Sequence, residues 1–462
     1  MKFRWRCRLA WVGVCGLMIA GGLQALTGAD LDNDPPIVSR TLPNGLQVVV
    51  FRDNTVPLAT VELAIRMGSV YETAADNGIA HLYEHMFFRS NRAQVTQEAY
   101  LTDIGIKGIS YNGMTSEERS SFYLTGLSGD LDTMIHCLRD AALYPVFDPA
   151  EVRNEIEVVR SENERIDANP YSQLQARGTA LLFPANPTFK MPNGLESVLR
   201  SATSAQLRAM HERMVQPANA VLVVTGNCDP AEVFQRAADY FGPWTRSTSA
   251  NPPAPAPGPG PTRAVADVLE VPNIENPVVI FMWRGPSVDS DPGATYAADV
   301  LSYVLRQPGS RFQTALVDSG LAIGVNLGYL TQRHIGVINF TVQTTPDKAR
   351  EAVQVLREQL GKILSPGYFT DQEVENAKAA LAAGDLFDRE KPSEYAHTIA
   401  FWAISSSIPY LLGQQQAYRG TNREDIARYL RRYILGQPGA AVAVVGSGGR
   451  GKVLTADDLI KP

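Results

Sequence analysis

Two histidines and a glutamate lie close together in the run HLYEH at residues 81–85. Apolar residues recur at helical spacing over residues 77–88, which predicts a helix there. His81 and His85 then lie one turn apart on one face, so both imidazoles can reach a single cation at about 2.0–2.1 Å. Glu84 can accept a proton from a water held at that cation. The pattern predicts a catalytic zinc site, because a structural site needs no such glutamate.

A catalytic zinc takes three protein ligands, so a third ligand must come from elsewhere in the chain. The charged stretch at residues 155–162 reads as a helix, and it offers Glu155 and Glu162 two turns apart on one face. One of the two can bind the metal while the other orients a ligand or the base. An acidic helix face without a partner motif is usually only solvated, so its pairing with the histidine motif is what singles it out.

Two other interpretations of the motif stay open on the residues alone. In one, the histidines only cap or pack a core helix. In the other, the chain is a zinc-dependent binding or storage module in which Glu84 is incidental. The substitution Glu84→Gln separates this module from a peptidase, because loss of a base abolishes hydrolysis and leaves zinc binding nearly untouched.

These motifs resemble those of the pitrilysin/insulinase family of zinc metallopeptidases, which includes the mitochondrial processing peptidases. In that family HxxEH is followed by a glutamate ligand at about the distance that separates His85 from Glu162, with another glutamate seven positions before it. The resemblance implies that His81, His85 and Glu162 bind Zn²⁺, one ion per chain. It also implies that Glu84 is the catalytic base of a zinc endopeptidase and that Glu155 supports the site.

The segments around this motif carry the resemblance further. Residues 42–46, LPNGL, and residues 67–72, MGSVYE, are similar to the opening of the family. Residues 112–115, NGMT, fall where the family has an edge strand that pairs with the substrate backbone. The resemblance therefore implies that Asn112 and Thr115 bind the peptide substrate.

One departure from the family pattern concerns the second half of the chain. Leu316 and Ile323 stand where the resemblance leads us to expect an arginine and a tyrosine that hold the substrate carbonyl. Aliphatic side chains cannot stabilise an oxyanion, and one lost donor typically costs about 3–4 kcal/mol. Nearby residues that could substitute are Arg311, Tyr329 and Arg333.

Fully active members of the family also have four structural units, whereas this chain shows two. We therefore expect weak activity alone and a homologous half-length partner subunit that supplies the arginine–tyrosine pair. The rival within the family is a non-catalytic zinc-containing subunit that binds substrate or acts as a scaffold.

The order of elements predicts an internal duplication. A proline-rich linker at residues 248–262 separates two halves, residues 36–247 and 263–462. Matching features in the two halves are strands at 60–65 and 277–282, helix-like stretches after them, and strands at 220–224 and 441–445. We predict an α+β fold of two homologous α/β-sandwich domains, each a mostly antiparallel sheet flanked by helices, of which only the first is catalytic.

The first 29 residues predict secretion, because four basic residues precede an apolar run and no acidic residue occurs before Asp30. We expect a cleaved signal peptide and a periplasmic protein; the alternative is an uncleaved anchor that faces the periplasm. Cys137 and Cys228 remain after this segment, and spacing does not tell whether they pair. A net charge of −6 gives no basic excess for nucleic acid, and membrane contact is expected only if the segment stays uncleaved.

Overall fold

The computed structural model describes residues 37–93, 96–186, 188–245 and 257–460. The predicted signal segment and most of the proline-rich linker lie outside these residues. Among the described cysteines, Cys228 is buried and Cys137 half-buried, and no disulfide joins them. No helix in the described ranges is long and apolar enough to cross a membrane.

Eleven strands and sixteen helices are described in this part of the chain. The strands are β1 (Val38–Thr41), β2 (Gln47–Arg52), β3 (Leu58–Ile65), β4 (Ser110–Thr115), β5 (Ser120–Leu127), β6 (Ala220–Gly226), β7 (Val265–Glu270), β8 (Val278–Arg284), β9 (Gly324–Leu330), β10 (Val337–Gln343) and β11 (Ala440–Val445). The helices are α1 (Ile79–Phe87), α2 (Gln97–Ile106), α3 (Leu131–Leu143), α4 (Pro149–Asp167), α5 (Pro170–Leu182), α6 (Glu196–Arg200), α7 (Ser204–Met214), α8 (Pro230–Phe241), α9 (Pro292–Arg306), α10 (Arg311–Gln313), α11 (Ala349–Lys362), α12 (Asp371–Asp388), α13 (Pro392–Ser405), α14 (Ile408–Gly420), α15 (Arg423–Tyr433) and α16 (Ala456–Ile460).

The strands form two sheets with the same internal order. Sheet one runs β1-β2-β6-β3-β5-β4 and sheet two runs β7-β11-β8-β10-β9. One neighbouring pair in each sheet is parallel, β2 with β6 and β7 with β11, and the remaining pairs are antiparallel. Without β1, sheet one therefore superposes strand for strand on sheet two. The predicted fold class and duplication are confirmed, while the domain bounds 36–247 and 263–462 stay predictions.

The central strands β6 and β11 are buried along their whole length because both faces of each sheet are covered. Every residue of β6 and of β11 is buried. Strands that are covered on one face alternate buried and exposed residues, whereas uninterrupted burial requires helices on both sides.

A helix from the opposite half of the chain covers one face of each sheet. Helix α5 belongs to the first half, yet its apolar residues pack on β8 and β11 of sheet two. Helix α13 belongs to the second half and packs on β3 and β6 of sheet one. Because α5 follows α4 as α13 follows α12, the two helices are equivalent in the duplication. The halves are thus joined by a reciprocal exchange of one helix each.

The other face of sheet one carries the helices that hold the predicted site. Helices α1, α3 and α4 bury their apolar residues there together with the inward residues of β3 and β5. Strand β4 forms the edge of this sheet, as predicted for residues 112–115. The histidine motif, the acidic helix and an open strand edge are therefore assembled on one side of the first half.

Candidate metal centre

The helix that carries the histidine motif begins at a glycine. Gly78 has a φ of 97°, in the left-handed region that favours glycine. A Cβ at this position would lie 2.8 Å from the Cα of Gly194. The first amide groups of α1 donate to the Glu72 carboxylate, from Gly78 at 2.9 Å and from Ala80 at 2.8 Å. Glu72 therefore satisfies amides that would otherwise lack acceptors and fixes where the motif helix starts.

The apolar side of α1 faces the core and leaves the chemical groups at its margin. Ile79, Leu82, Tyr83 and Met86 are buried, since they recur at helical spacing against sheet one. The Tyr83 hydroxyl lies 2.9 Å from Nδ1 of His211, a partly buried contact that holds the helix from the other side. His81, Glu84 and His85 occupy the remaining face, toward α4 and β4.

Helix α4 supplies the acidic partners. The side chain of Asp148 caps its first turn, accepting from the backbone amides of Ala150 and Glu151, and Pro149 occupies its first position. Glu155 and Glu162 lie two turns apart on the side that faces α1, as predicted. Their side chains differ in exposure, 4% for Glu155 and 35% for Glu162.

One nitrogen from each histidine and one oxygen from Glu162 converge within 4.8 Å of one another. Oε2 of Glu162 lies 3.4 Å from Nε2 of His85 and 3.9 Å from Nε2 of His81. A tetrahedral ion with bonds of about 2.0–2.1 Å keeps its ligand atoms roughly 3.3 Å apart. The spacing and the two-imidazole, one-carboxylate donor set therefore fit Zn²⁺ with one position left open.

Glu155 holds the second histidine instead of joining the converging atoms. Its Oε2 lies 3.3 Å from Nδ1 of His85, and its Oε1 lies 2.5 Å from Nη2 of Arg89. The sequence reasoning missed Arg89. Its position four residues after His85 is a usable signal, although α1 has already ended at Phe87.

Glu84 lies against the edge strand. A Cβ on Gly113 would come within 2.8 Å of Cγ of Glu84, so the backbone of β4 approaches the carboxylate side chain directly. Burial raises the pKa of the Glu84 carboxyl, and a hydrogen bond with the Thr115 side chain opposes that shift. Thr115, predicted to bind substrate, therefore also contacts the predicted base.

Asn112 is exposed on β4, where its Oδ1 accepts from the Gly113 amide at 3.0 Å. It is brought to the same strand edge as Thr115 but not into contact with the three converging side chains. Its role in binding substrate stays a prediction.

The pKa values of the two histidines shift in opposite directions. Burial and the neighbouring His85 lower the pKa of His81 to about 4. Burial also lowers the pKa of His85, but its contacts with Glu155 and Glu162 dominate and raise it to about 9. The contact with His85 in turn lowers the pKa of Glu162. The carboxylates thus concentrate negative charge where a cation is expected, which favours a divalent metal ion.

The two aliphatic residues that replace the expected pair, Leu316 and Ile323, lie in different environments. Leu316 is fully buried in the core of the second half, in a π-helical turn at Thr314–Asp318. Ile323 is 52% exposed just before β9. An arginine at position 316 would have to enter an apolar core. Positions 316 and 323 therefore cannot present an arginine and a tyrosine together to a substrate in this chain.

The residues named as possible substitutes for that pair are mostly engaged elsewhere. The Tyr329 hydroxyl donates to the Pro286 carbonyl at 3.3 Å. The Arg333 guanidinium contacts Asp289 at 3.3 Å and donates to the Ile404 carbonyl at 3.2 Å. Arg311 is exposed at the start of α10. Tyr329 and Arg333 therefore both have partners within the second half in this arrangement.

Two family models match the chain. Insulinase (peptidase family M16) matches residues 47–187, and the peptidase M16 inactive domain matches residues 201–381. The first match contains every residue of the candidate metal centre, and the second contains most of the described second half. The second match begins at residue 201, inside the predicted first domain, so the matched ranges do not test the predicted domain bounds.

Relatives named as zinc proteases extend over most of the chain. An uncharacterised zinc protease of Mycobacterium leprae is 27% identical over 357 residues, 77% of this chain and 79% of that protein. A zinc protease of Helicobacter pylori is 24% identical over 405 residues, 87% of this chain and 90% of that protein. The beta subunit of the mitochondrial processing peptidase of Blastocladiella emersonii is 30% identical over 210 residues, 46% of this chain and 45% of that protein.

Solved structures share the fold. The crystal structure of a protease from Helicobacter pylori aligns with a TM-score of 0.80 at 23% identity, covering 89% of this chain and 100% of that chain. An M16-like peptidase from Alicyclobacillus acidocaldarius aligns with a TM-score of 0.78 at 18% identity, covering 89% of this chain and 98% of that chain.

Proposed function

Because this chain belongs to the pitrilysin/insulinase family of peptidases, M16, we propose that it is a zinc-dependent endopeptidase subunit of the HxxEH type. Its substrates are peptides or unfolded polypeptide segments. The observation that carries the proposal is the convergence of His81, His85 and Glu162, with Glu84 beside them at an open strand edge. These three side chains would hold Zn²⁺, which would supply Lewis acidity toward the scissile carbonyl and lower the pKa of a bound water.

Each remaining side chain has a definite task in this mechanism. Glu84 accepts a proton from the attacking water at its carboxylate and passes it to the leaving amine. Glu155 holds Nδ1 of His85 and so keeps the other ring nitrogen directed at the metal. Strand β4 pairs with an extended substrate through its unoccupied edge, where Asn112 and Thr115 contact the bound segment.

The experiment that tests this function separates hydrolysis from metal binding. In Glu84→Gln we expect the zinc content to stay near that of the parent chain while hydrolysis of a quenched fluorescent peptide is lost. Glu164→Gln, an exposed carboxylate on α4, serves as the matched control and should change neither. A Glu84→Gln protein that keeps its hydrolysis removes Glu84 as the base. Zinc content that falls in step with activity shows that the assignment of Glu84 as the base is wrong, whereas a parent chain that binds zinc and hydrolyses no peptide supports the rival, a zinc-containing scaffold or substrate-binding subunit.

The proposed active form includes a homologous half-length partner that supplies the arginine–tyrosine pair. Support comes from the buried position of Leu316 and from the similarity to a protein named as one subunit of a processing peptidase. The proposed location is the periplasm, after secretion across the inner membrane, with a membrane-anchored form as the alternative. Cell fractionation followed by N-terminal sequencing decides between them, since cleavage as predicted leaves Asp30 first.

A further inference from the structure

A cavity of about 230 Å³ lies at one end of sheet two, in the second half of the chain. Its walls are mainly apolar, with Phe281 and Trp283 from β8, Leu360 from α11 and Ile434 after α15. Arg357 of α11 carries the single charge among the described lining residues. The cavity shares no residue with the candidate metal centre. An apolar pocket with one directed polar group is the usual form of a small-molecule site.

The Arg357 side chain lines this cavity, and its guanidinium is only partly paired by the described residues. Its Nη2 donates to the carbonyl of Ile460 at 3.0 Å. Its Nη1 is buried and has no acceptor among the described residues. Burial also lowers the pKa of the Arg357 guanidinium, the direction expected when a cation loses water and gains no anion. A buried charged donor without a partner is costly, and a carboxylate is the group that satisfies guanidinium best.

The internal duplication shows what closes this space in the first half. A Gln-Pro pair precedes both β6 (Gln216-Pro217) and β11 (Gln437-Pro438), and aligning these pairs matches Val221 with Val442. Their parallel neighbours, Gln47 and Asp267, then match as well, so position 44 corresponds to position 264. The side chain of Asn44 donates to the carbonyls of Phe241 at 2.7 Å and Trp244 at 3.1 Å. These contacts hold Phe241 and Trp244, which are both buried, at the end of sheet one.

The second half has small residues at the equivalent place. Ala264 stands where Asn44 stands in the first half, and it lines the cavity. Ala266 corresponds in the same way to the fully buried Leu46. One copy of the duplicated unit thus closes this end with its own side chains, and the other keeps a cavity that faces an arginine.

We propose that this cavity binds a small apolar monocarboxylate, with the carboxylate paired with the Arg357 guanidinium and the hydrocarbon part against Phe281, Trp283 and Leu360. Two sources share this chemistry: a free alkyl carboxylic acid, and the apolar carboxyl end of a peptide. The site is independent of the metal centre, so its test does not depend on peptidase activity.

The experiment is isothermal titration calorimetry of the full chain with octanoate, supported by the fluorescence of Trp283. We expect saturable binding that weakens about tenfold or more in Arg357→Met, the scale of one charge-assisted contact. Gly361→Leu should abolish binding, because a Cβ there meets nothing within 4 Å and the side chain grows into the cavity. The matched controls are Lys362→Met, an exposed cation on α11, and Gly413→Leu, which also has open space around its Cβ. Both should bind as the parent does, and thermal melts verify that all variants fold.

Further ligands identify the source and limit the chemistry. An acetylated tripeptide that ends in leucine, compared with its C-terminal amide, tests the peptide end, and binding by either this peptide or octanoate supports the site. Octanol and octylamine test the need for an anion. The proposal is overturned if neither acid binds, if octanol binds as tightly as octanoate, or if Gly361→Leu leaves octanoate binding unchanged.

Discussion

The carboxylate of Glu155 lies 3.3 Å from Nδ1 of His85, while its other oxygen contacts Arg89 at 2.5 Å. Glu155 is almost fully buried, so its charge is held by these two partners and not by water. The imidazole of His85 therefore has a fixed orientation before any metal binds. This relationship separates the residues that should bind the metal from the residue that should only position a ligand.

The first prediction follows from that separation. His81→Ala, His85→Ala or Glu162→Gln should each strip the metal, because two ligands cannot hold zinc against water. Glu155→Gln should weaken metal affinity only by about 10–100-fold. Elemental analysis and a competing chelator measure both effects. A fully metallated Glu162→Gln protein would move the third ligand elsewhere, with Glu155 or Glu157 the next candidates.

The second prediction concerns the contact between Gly113 and Glu84. A branched side chain in Gly113→Val cannot fit beside Cγ of Glu84, which lies 2.8 Å from the position of an added Cβ. The carboxylate must move, so we expect peptide hydrolysis to fall by at least about tenfold, as misplaced catalytic groups do. Zinc content should be unchanged. Gly105→Val on α2 is the control, because an added Cβ there meets nothing within 4 Å. Full activity in Gly113→Val would show that this contact does not position Glu84.

The third prediction concerns pH and a carboxyl group in the second half. Burial raises the pKa of Asp299 from its usual 3.8 to about 7, against the hydrogen bond donated by the Tyr418 hydroxyl at 2.9 Å. Below about pH 3.8 the Asp299 carboxyl is protonated in both the folded and the unfolded protein. Its stabilising contribution to the folded state is therefore fully present there and is lost as the pH rises through about 7. The melting temperature of Asp299→Asn should therefore rise relative to that of the parent as the pH increases from about 4 to about 7. The exposed Asp318→Asn is the control, and an equal gain from it would contradict the assignment.

The fourth prediction tests the exchanged helix α5. An added Cβ on Gly178 would lie 2.2 Å from Sδ of Met282 on β8. Gly178→Ala should thus lower the free energy of unfolding by about 1–3 kcal/mol, the cost of overpacking. Met282→Ala in the same chain makes room, so the double variant should lose less than the sum of the two single losses. Urea unfolding of the parent, the two single variants and the double variant measures this coupling. If the two losses simply add, residues 178 and 282 do not interfere with each other and the prediction is wrong.

The fifth prediction concerns the partner. The purified chain should hydrolyse peptides weakly, and a homologous half-length subunit with the arginine–tyrosine pair should raise the rate at least about a hundredfold. Leu316→Arg with Ile323→Tyr should not replace that partner, because Leu316 is fully buried and an unpaired guanidinium destabilises the core. Turnover of a quenched peptide and thermal melts test both statements. Full activity of the chain alone, unchanged by any partner, would contradict them.

The sequence was most informative where residue spacing alone determines geometry. Histidines at i and i+4 and glutamates at i and i+7 share a helix face whatever the rest of the chain does. For this reason α1, α4 and the pairing of His81 with His85 could be anticipated, whereas the choice of Glu162 over Glu155 as the third ligand came from the family resemblance. The matching strands before and after the linker predicted the duplication in the same way, because short apolar runs bounded by turn residues usually form strands.

Features that depend on long-range packing could not be read in this way. The apolar residues of α5 show that one of its faces is buried, but not that sheet two covers it. Arg89 follows the end of α1, so helical spacing did not connect it with Glu155. The aliphatic character of Leu316 was visible, but its burial depends on a local π-helical turn.

The reciprocal exchange of α5 and α13 also constrains the order in which the protein can be completed during synthesis. Strand β6, the last strand of sheet one, is finished at Gly226, whereas the helix that covers its second face ends at Ser405. At a synthesis rate of about 5–20 residues per second, that apolar face waits on the order of ten seconds or more for its cover. Helix α5 waits in the same way for β8 and β11. The first half therefore cannot bury that face as an independent module, and the chain needs protection from aggregation until the second half is present to cover it.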